Sequence, residues 1–154
     1  MILDELVLHD FGVYRGRQVF TLTPEAADRP VVLIGAQNGA GKTTFLEGLQ
    51  LALYGRLSQA GLRGAGGYEA YLQGAIHRRA SPQEGASLEL NFRRTVAGCE
   101  RRYGVRRSWT AHKSGVKEHF EVLVDGQFDR VLTQHWSEFV EEMLPPRIAP
   151  LFFF

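Results

Sequence analysis

Apolar and polar residues fall into a strand pattern at the start of the chain. Leu3, Leu6, Val7 and Leu8 lie within Ile2 to His9, and Asp10-Phe11-Gly12 turns that run into Val13-Tyr14-Arg15-Gly16-Arg17. A second strand follows, in which Phe20 and Leu22 share one face while Val19 and Thr21 share the other. Together they predict an antiparallel hairpin leading into a core sheet. The linker Thr23 to Pro30 is polar, and Val31, Val32, Leu33 and Ile34 then form an apolar run with the length of a buried strand. Beyond residue 44 the period changes: Phe45, Leu46, Leu49, Ala52 and Leu53 recur at helical spacing, and the pattern stops near Tyr54-Gly55. A shorter helix is predicted from Tyr68 to about Ile76, with Tyr71, Leu72 and Ile76 on one side and the cations of His77-Arg78-Arg79 at its negative end. Between the two helices, Arg56 to Gly67 holds Gly61, Gly64, Gly66 and Gly67 and reads as a mobile loop, either a linker or a lid.

The second half of the chain changes character. Leu88, Leu90 and Phe92 alternate with Glu89, Asn91 and Arg93, and Glu100 to Trp109 and Glu118 to Val124 read as two more strands. Val124-Asp125-Gly126-Gln127 is a tight hairpin signal, so this half is an antiparallel β-meander. Thr133 is placed to cap a helix whose Trp136, Phe139, Val140, Met143 and Leu144 form a core-facing stripe, ended by Pro145-Pro146. The last residues, Ile148 to Phe154, are an apolar strand-like run with no polar residue after it. Exposed, such a run invites aggregation, and the chain therefore reads as a poorly soluble piece of a longer protein.

The stretch between the Val31–Ile34 run and the first helix carries the chemistry. Gly35-Ala36-Gln37-Asn38-Gly39-Ala40-Gly41-Lys42-Thr43-Thr44 follows the phosphate-loop pattern, except that its first glycine position holds Ala36, with Gly35 just before it. Small residues let successive backbone N–H groups of Asn38, Gly39, Ala40 and Gly41 curl around a β-phosphate at the positive end of the following helix. Lys42 then reaches the β/γ-phosphates, and the Thr43 hydroxyl, next to Thr44, ligates Mg²⁺. The implied cofactors are ATP and Mg²⁺.

At 154 residues and 44% hydrophobic, the chain suffices for one core and one domain. Its net charge is only +1, so affinity for nucleic acid requires a local patch. One candidate patch is the crowd of Arg93, Arg94, Arg101, Arg102, Arg106, Arg107 and Lys113, with Tyr103 and Trp109 interleaved and Glu100 the one nearby acid in sequence. On a strand, Arg102, Gly104 and Arg106 share one face, and Arg101, Tyr103, Val105, Arg107 and Trp109 the other; the pattern fits a DNA-tracking surface and a solvated sheet face equally. Tyr14, Arg15 and Arg17 stand in the first turn, with Arg15 the leading candidate to lend a cation to a nucleotide. Cys99, the single cysteine, excludes an intramolecular disulfide and reads as a buried or inert thiol in a reducing compartment. The histidines His9, His77, His112, His119 and His135 show no metal-ligand spacing with it. No signal peptide opens the chain and no apolar run approaches the roughly 20 residues that span a bilayer, so a cytoplasmic location without membrane partners is expected.

Phe11-Gly12-Val13-Tyr14-Arg15-Gly16, the loop Gln37 to Thr44, and Leu49-Gln50-Leu51-Ala52-Leu53-Tyr54-Gly55 resemble the N-terminal lobe of SMC-like ATPases of the SbcC repair type. Ile76-His77-Arg78, Arg106-Arg107-Ser108-Trp109, Trp136 to Leu144 and Leu151-Phe152-Phe153-Phe154 further resemble the DndD family, ATPases of bacterial DNA phosphorothioate (sulfur) modification. The resemblance implies an α/β fold: a P-loop NTPase of ABC head type, its N-terminal lobe spanning 1–154 with an antiparallel β-meander subdomain. A long coiled coil, a C-terminal lobe with the signature and Walker B motifs, homodimerisation with a second head on ATP binding, DNA, and other subunits of a sulfur-modification complex are implied with it. Val122-Leu123-Val124-Asp125 mimics a Walker B strand, but Gly126 follows in a hairpin context. ATP hydrolysis coupled to DNA is the resulting expectation, with the 154-residue piece alone binding nucleotide weakly and not hydrolysing it. The rival readings are an SbcC-type repair ATPase, a nucleotide-gated DNA clamp without turnover, and a small P-loop kinase or GTPase.

Overall fold

The computed structural model describes residues 1–26, 28–29, 31–58, 61 and 66–146. Strands β1 (Ile2–Phe11), β2 (Tyr14–Thr21), β3 (Ala86–Val96), β4 (Cys99–His112), β5 (Gly115–Val124) and β6 (Gln127–Phe128) form one sheet in the order β2-β1-β3-β4-β5-β6. Every pairing is antiparallel. The helices are α1 (Lys42–Tyr54), continued by a 3-10 turn Gly55–Leu57, then α2 (Gly67–Ala75), α3 (Arg130–Gln134) and α4 (Trp136–Met143). The fold is α/β, with the hairpin and the meander fused into a single sheet because β1 pairs with β3 as well as with β2.

Alternation decides the two faces. On β3, Ala86, Leu88, Leu90 and Phe92 are buried, and on β4 so are Tyr103, Val105, Trp109 and Ala111. These residues face the helices, which contribute Phe45, Leu49, Leu51, Ala52, Leu53, Leu72, Trp136 and Val140 to the same core. Burying each large apolar side chain here stabilises by about 1.5–3 kcal/mol. Two indoles fix the layer distance: Trp109 Nε1–H donates to Leu72 O at 2.7 Å, and Trp136 Nε1–H donates to Leu53 O at 2.8 Å. Each satisfies a buried donor with a helix carbonyl, so the sheet holds α2 and α4 holds α1.

Four expectations change. Val31–Ile34 is not a strand: Val31 is 81% and Leu33 91% exposed, and no strand among the described residues pairs with them. An extended run becomes a strand only beside a partner, and neither edge strand of the sheet, β2 or β6, pairs with it. Thr133 is not the helix cap. Asp129 caps α3 by accepting the Leu132 N–H at 2.8 Å, while Thr133 Oγ1 accepts the Val122 N–H at 3.0 Å and ties α3 to β5; α4 starts at His135 with no side-chain cap. Cys99 is exposed, because it opens β4 next to the tight Ala97-Gly98 turn. Glu100 is not the one acid near the arginines, as the strand register shows below. The glycine-rich loop expectation falls mainly on 59–60 and 62–65, and the terminal strand expectation on 147–154; both lie outside the described residues.

Candidate functional site

The phosphate-loop pattern ends at the start of α1, and the backbone there is built around two glycines. Gly39 has φ +80° and Gly41 φ +102°, a left-handed conformation that glycine adopts without the steric cost of a Cβ. Gly41 is the N-cap of α1; no side chain caps the helix and no acid lies in its first turn. The amides of Lys42, Thr43 and Thr44 therefore have no intrahelical acceptor and sit at the positive end of the helix dipole. Within the loop the Ala40 N–H donates to Gln37 O at 3.2 Å, and Lys42 Nζ donates back to Ala36 O at 2.7 Å and Gln37 O at 3.0 Å. An ammonium has three donors, so one remains for a phosphate oxygen. Ala36 stands where the pattern expects glycine, and it is exposed like every residue from 31 to 40, so its methyl meets no obstruction.

The two threonines divide. Thr43 is exposed on the loop side, whereas Thr44 is half-buried against the β1–β2 turn, where a Cβ placed on Gly12 would collide with Thr44 Cγ2. Thr43 thus offers a free hydroxyl, a hard oxygen suited to Mg²⁺, with no carboxylate among its described neighbours in the first turn. The donor set fits a metal that arrives with a polyphosphate and takes most of its ligands from phosphate and water. Glu47, one turn further along α1, is half-buried, and burial pushes its carboxyl above the ordinary range.

The first turn reaches the same place. Tyr14 Oη donates to Gly41 O at 3.0 Å; Tyr14 opens β2, so exposed Arg15 lies on that strand, one residue past the contact, and not in the turn as expected. Arg17 is further away on β2, opposite His9. Gly12 N–H donates to Ala75 O at 2.7 Å and His77 N–H to Asp10 O at 2.7 Å, so the turn also grips the end of α2. The roles of Gly12 and of the Tyr14 hydroxyl leave no trace in local periodicity, since both depend on a contact across about thirty residues of chain.

The arginine crowd is divided by the sheet. Arg107 points into the core at 8% exposure, with Nε–H donating to Ala52 O at 3.3 Å, Nη1–H to Glu118 Oε1 at 3.1 Å, and its plane 3.9 Å from the Phe120 centroid. Desolvation lowers its pKa, partly countered by Tyr68 and Glu118. Tyr103 and Trp109 are buried on that same face and present no stacking surface to solvent. On the outer face the register sets Arg106 between Glu89 (3.0 Å) and Glu121 (3.3 Å), and Arg93 near Asp4 (3.1 Å). Arg101 pairs with Asp125 at 2.7 Å, and Arg94 lies 5.7 Å from the Phe139 ring centroid. Arg102 makes no ion pair among the described residues. The acids come from neighbouring strands, which is why the sequence neighbourhood of the arginines looked acid-poor. A cavity of about 480 Å³ opens on this face above Gly104, bordered by Asp4, Glu89, Asn91, Arg93, Arg102 and Arg106. No described residue of the phosphate loop lines it.

Val122–Asp125 is a hairpin and not a nucleotide-site strand: Val122 is fully buried in β5, and Asp125 (φ +50°) and Gly126 (φ +82°) make the turn to β6. Among the described residues no group of three or more His, Cys, Asp or Glu side chains is arranged to hold a metal ion, and no helix is long and apolar enough to cross a membrane.

A family profile described as an AAA domain matches residues 5–147. No curated protein matches the chain. Among solved structures, the SMC head domain from Thermotoga maritima is similar with a TM-score of 0.48 and 18% identity, over 85% of this chain and 40% of that one.

Proposed function

The chain belongs to the AAA domain family, and from that premise we propose that it forms the ATP-binding lobe of an SMC-like ATPase. The observation that carries this reading is the uncapped start of α1, where left-handed Gly41 presents three free amides, Lys42 curls over the loop with one donor to spare, and Thr43 offers an exposed hydroxyl. In the reading, Asn38, Gly39, Ala40, Gly41 and Thr44 line the cradle, Lys42 neutralises the β/γ-phosphates, and Thr43 holds the metal. Arg15, at the start of β2, supplies a further cation. Mg²⁺, when bound with the nucleotide, neutralises charge that develops on the phosphoryl oxygens.

Turnover needs a group that orients the attacking water, and the described carboxylates do not supply it. Glu47 is half-buried within α1, Asp125 is in a hairpin, and Glu138, Glu141 and Glu142 are on the exposed face of α4. The reading therefore assigns the water-orienting group to a further lobe and a second head, which close on ATP as a homodimer. Within the superfamily, the sequence resemblances favour the DndD family, and so ATP hydrolysis coupled to DNA during DNA sulfur modification, together with the other subunits of such a complex. An SbcC-type repair ATPase is the alternative, and a nucleotide-gated DNA clamp a third. Arg102, the outer-face arginine of β3 and β4 without a carboxylate partner among the described residues, is the residue proposed to meet DNA. Measuring ATP turnover of the assembled protein with and without DNA tests the reading. Turnover stimulated by DNA is the expected result. Binding of ATP without turnover in either condition leaves the clamp, and absence of ATP binding overturns the reading.

A further inference from the structure

Among the described residues, a single hydrogen bond ties the phosphate loop and the first turn of α1 to another element, and it comes from Tyr14. The bonds of Lys42 to Ala36 and Gln37, and of Ala40 to Gln37, are internal to the loop. Residues 31–40 are exposed throughout, so packing does not hold them either. The Gly41 carbonyl, by contrast, accepts two bonds: the first helical bond, from Phe45 N–H at 2.8 Å, and the Tyr14 hydroxyl at 3.0 Å. The approach is close. A Cβ on Gly41 would lie 2.6 Å from Tyr14 Oη and 2.8 Å from Val13 Cγ2. The tyrosine ring is itself held, edge-on to Phe20 at 5.3 Å, and Phe20 is edge-on to Phe45 at 5.1 Å.

We propose that Tyr14 is a positioning residue for the phosphate loop: its hydroxyl pins the Gly41 carbonyl, and with it the left-handed turn that aims the amides of Lys42, Thr43 and Thr44 at one point before a ligand arrives. The functional half of this proposal rests on the ATP reading above; the mechanical half does not. An exposed loop fixed in its bound conformation loses less entropy on binding, which is where the affinity gain arises. The half-buried hydroxyl stays a neutral donor, since burial raises its pKa. Phe20 and Phe45 orient the ring, and the hydroxyl does the pinning.

Tyr14→Phe separates the two, because it keeps the ring and its aromatic contacts and removes the donor. The Phe45 amide, bonded to the same carbonyl, is expected to exchange its hydrogen faster while amides of β3 and β4 exchange as in the wild type. The thermal midpoint stays unchanged, and the Kd for MgATP rises roughly three- to tenfold, the range expected for one neutral hydrogen bond. Wild-type exchange at Phe45 together with a wild-type Kd overturns the proposal. Faster exchange spread evenly over the sheet with a lowered midpoint also overturns it, by making Tyr14 an ordinary core residue. If the wild-type chain binds no MgATP, the ATP reading falls, and the Phe45 exchange rate alone decides whether the hydroxyl pins the loop.

Discussion

Replacing Arg107 by alanine tests whether that arginine belongs to the core or to a DNA-facing patch. Its side chain is 9% and that of Glu118 22% exposed, and the two meet at 3.1 Å. Removing one partner of a buried ion pair costs about 3–5 kcal/mol, chiefly because the other charge is left without its counterpart. Here Glu118 keeps the Tyr68 hydroxyl at 2.8 Å, so the lower end, about 3 kcal/mol, is expected. The Ala52 carbonyl loses its donor and the Phe120 ring its stacked cation, which places the damage at the junction of α1 with β4 and β5. Arg107→Lys retains the charge but loses the planar face and the Nε–H, and is expected to cost about half as much. Arg107→Met combined with Glu118→Gln removes both charges and should recover most of the loss, since a buried pair replaced by matched neutral groups is often near-neutral in stability. Urea unfolding midpoints with unchanged slopes measure all three. A cost for Arg107→Ala below about 0.5 kcal/mol, the range of ordinary surface substitutions, would refute the buried assignment.

Two further outcomes follow from the outer face and its hairpin. Arg102→Ala is expected to weaken DNA binding for all sequences alike and to flatten its salt dependence by about one phosphate contact, whereas Arg106→Ala also leaves Glu89 and Glu121 without their cation. An unchanged salt slope for Arg102→Ala places DNA elsewhere. At Asp125, the Arg102 backbone N–H and the Arg101 guanidinium hold the carboxyl below its ordinary value of 3.8. A depressed folded-state value gives stability that is fully present above 3.8 and is lost as pH falls through the lower value, so the β5–β6 turn should loosen only in stronger acid. An NMR titration of Asp125 with a midpoint at or above 3.8 contradicts this.

Local patterns were readable in the sequence where the structure they describe is local. The β1–β2 hairpin, α1 with its end at Tyr54, α2 and the meander turn at Asp125-Gly126 follow from period and turn chemistry over a few residues. That Arg107 shares a face with Tyr103, Val105 and Trp109 was legible from alternation, but that this face is the buried one was not. Val31–Ile34 failed because an apolar run becomes a strand only beside a partner, and composition does not reveal whether one is there. The carboxylates around Arg93 and Arg106 were missed for a related reason: Glu89 and Glu121 reach Arg106 through register, at separations of 17 and 15 residues. At the phosphate loop the residue types were evident from the pattern, whereas its attachment through Tyr14 and Gly12 is tertiary.

The central claim is that the loop ahead of α1 cradles the phosphates of ATP, and titration calorimetry of MgATP into the wild-type chain and the Lys42→Ala variant tests it most directly. The wild type is expected to bind, weakly and without releasing phosphate over the course of the titration. In Lys42→Ala, with circular dichroism and thermal midpoint unchanged, binding should collapse, because the cation that folds over Ala36 and Gln37 toward the ligand is gone. Equal affinity for MgATP in both proteins would contradict the account.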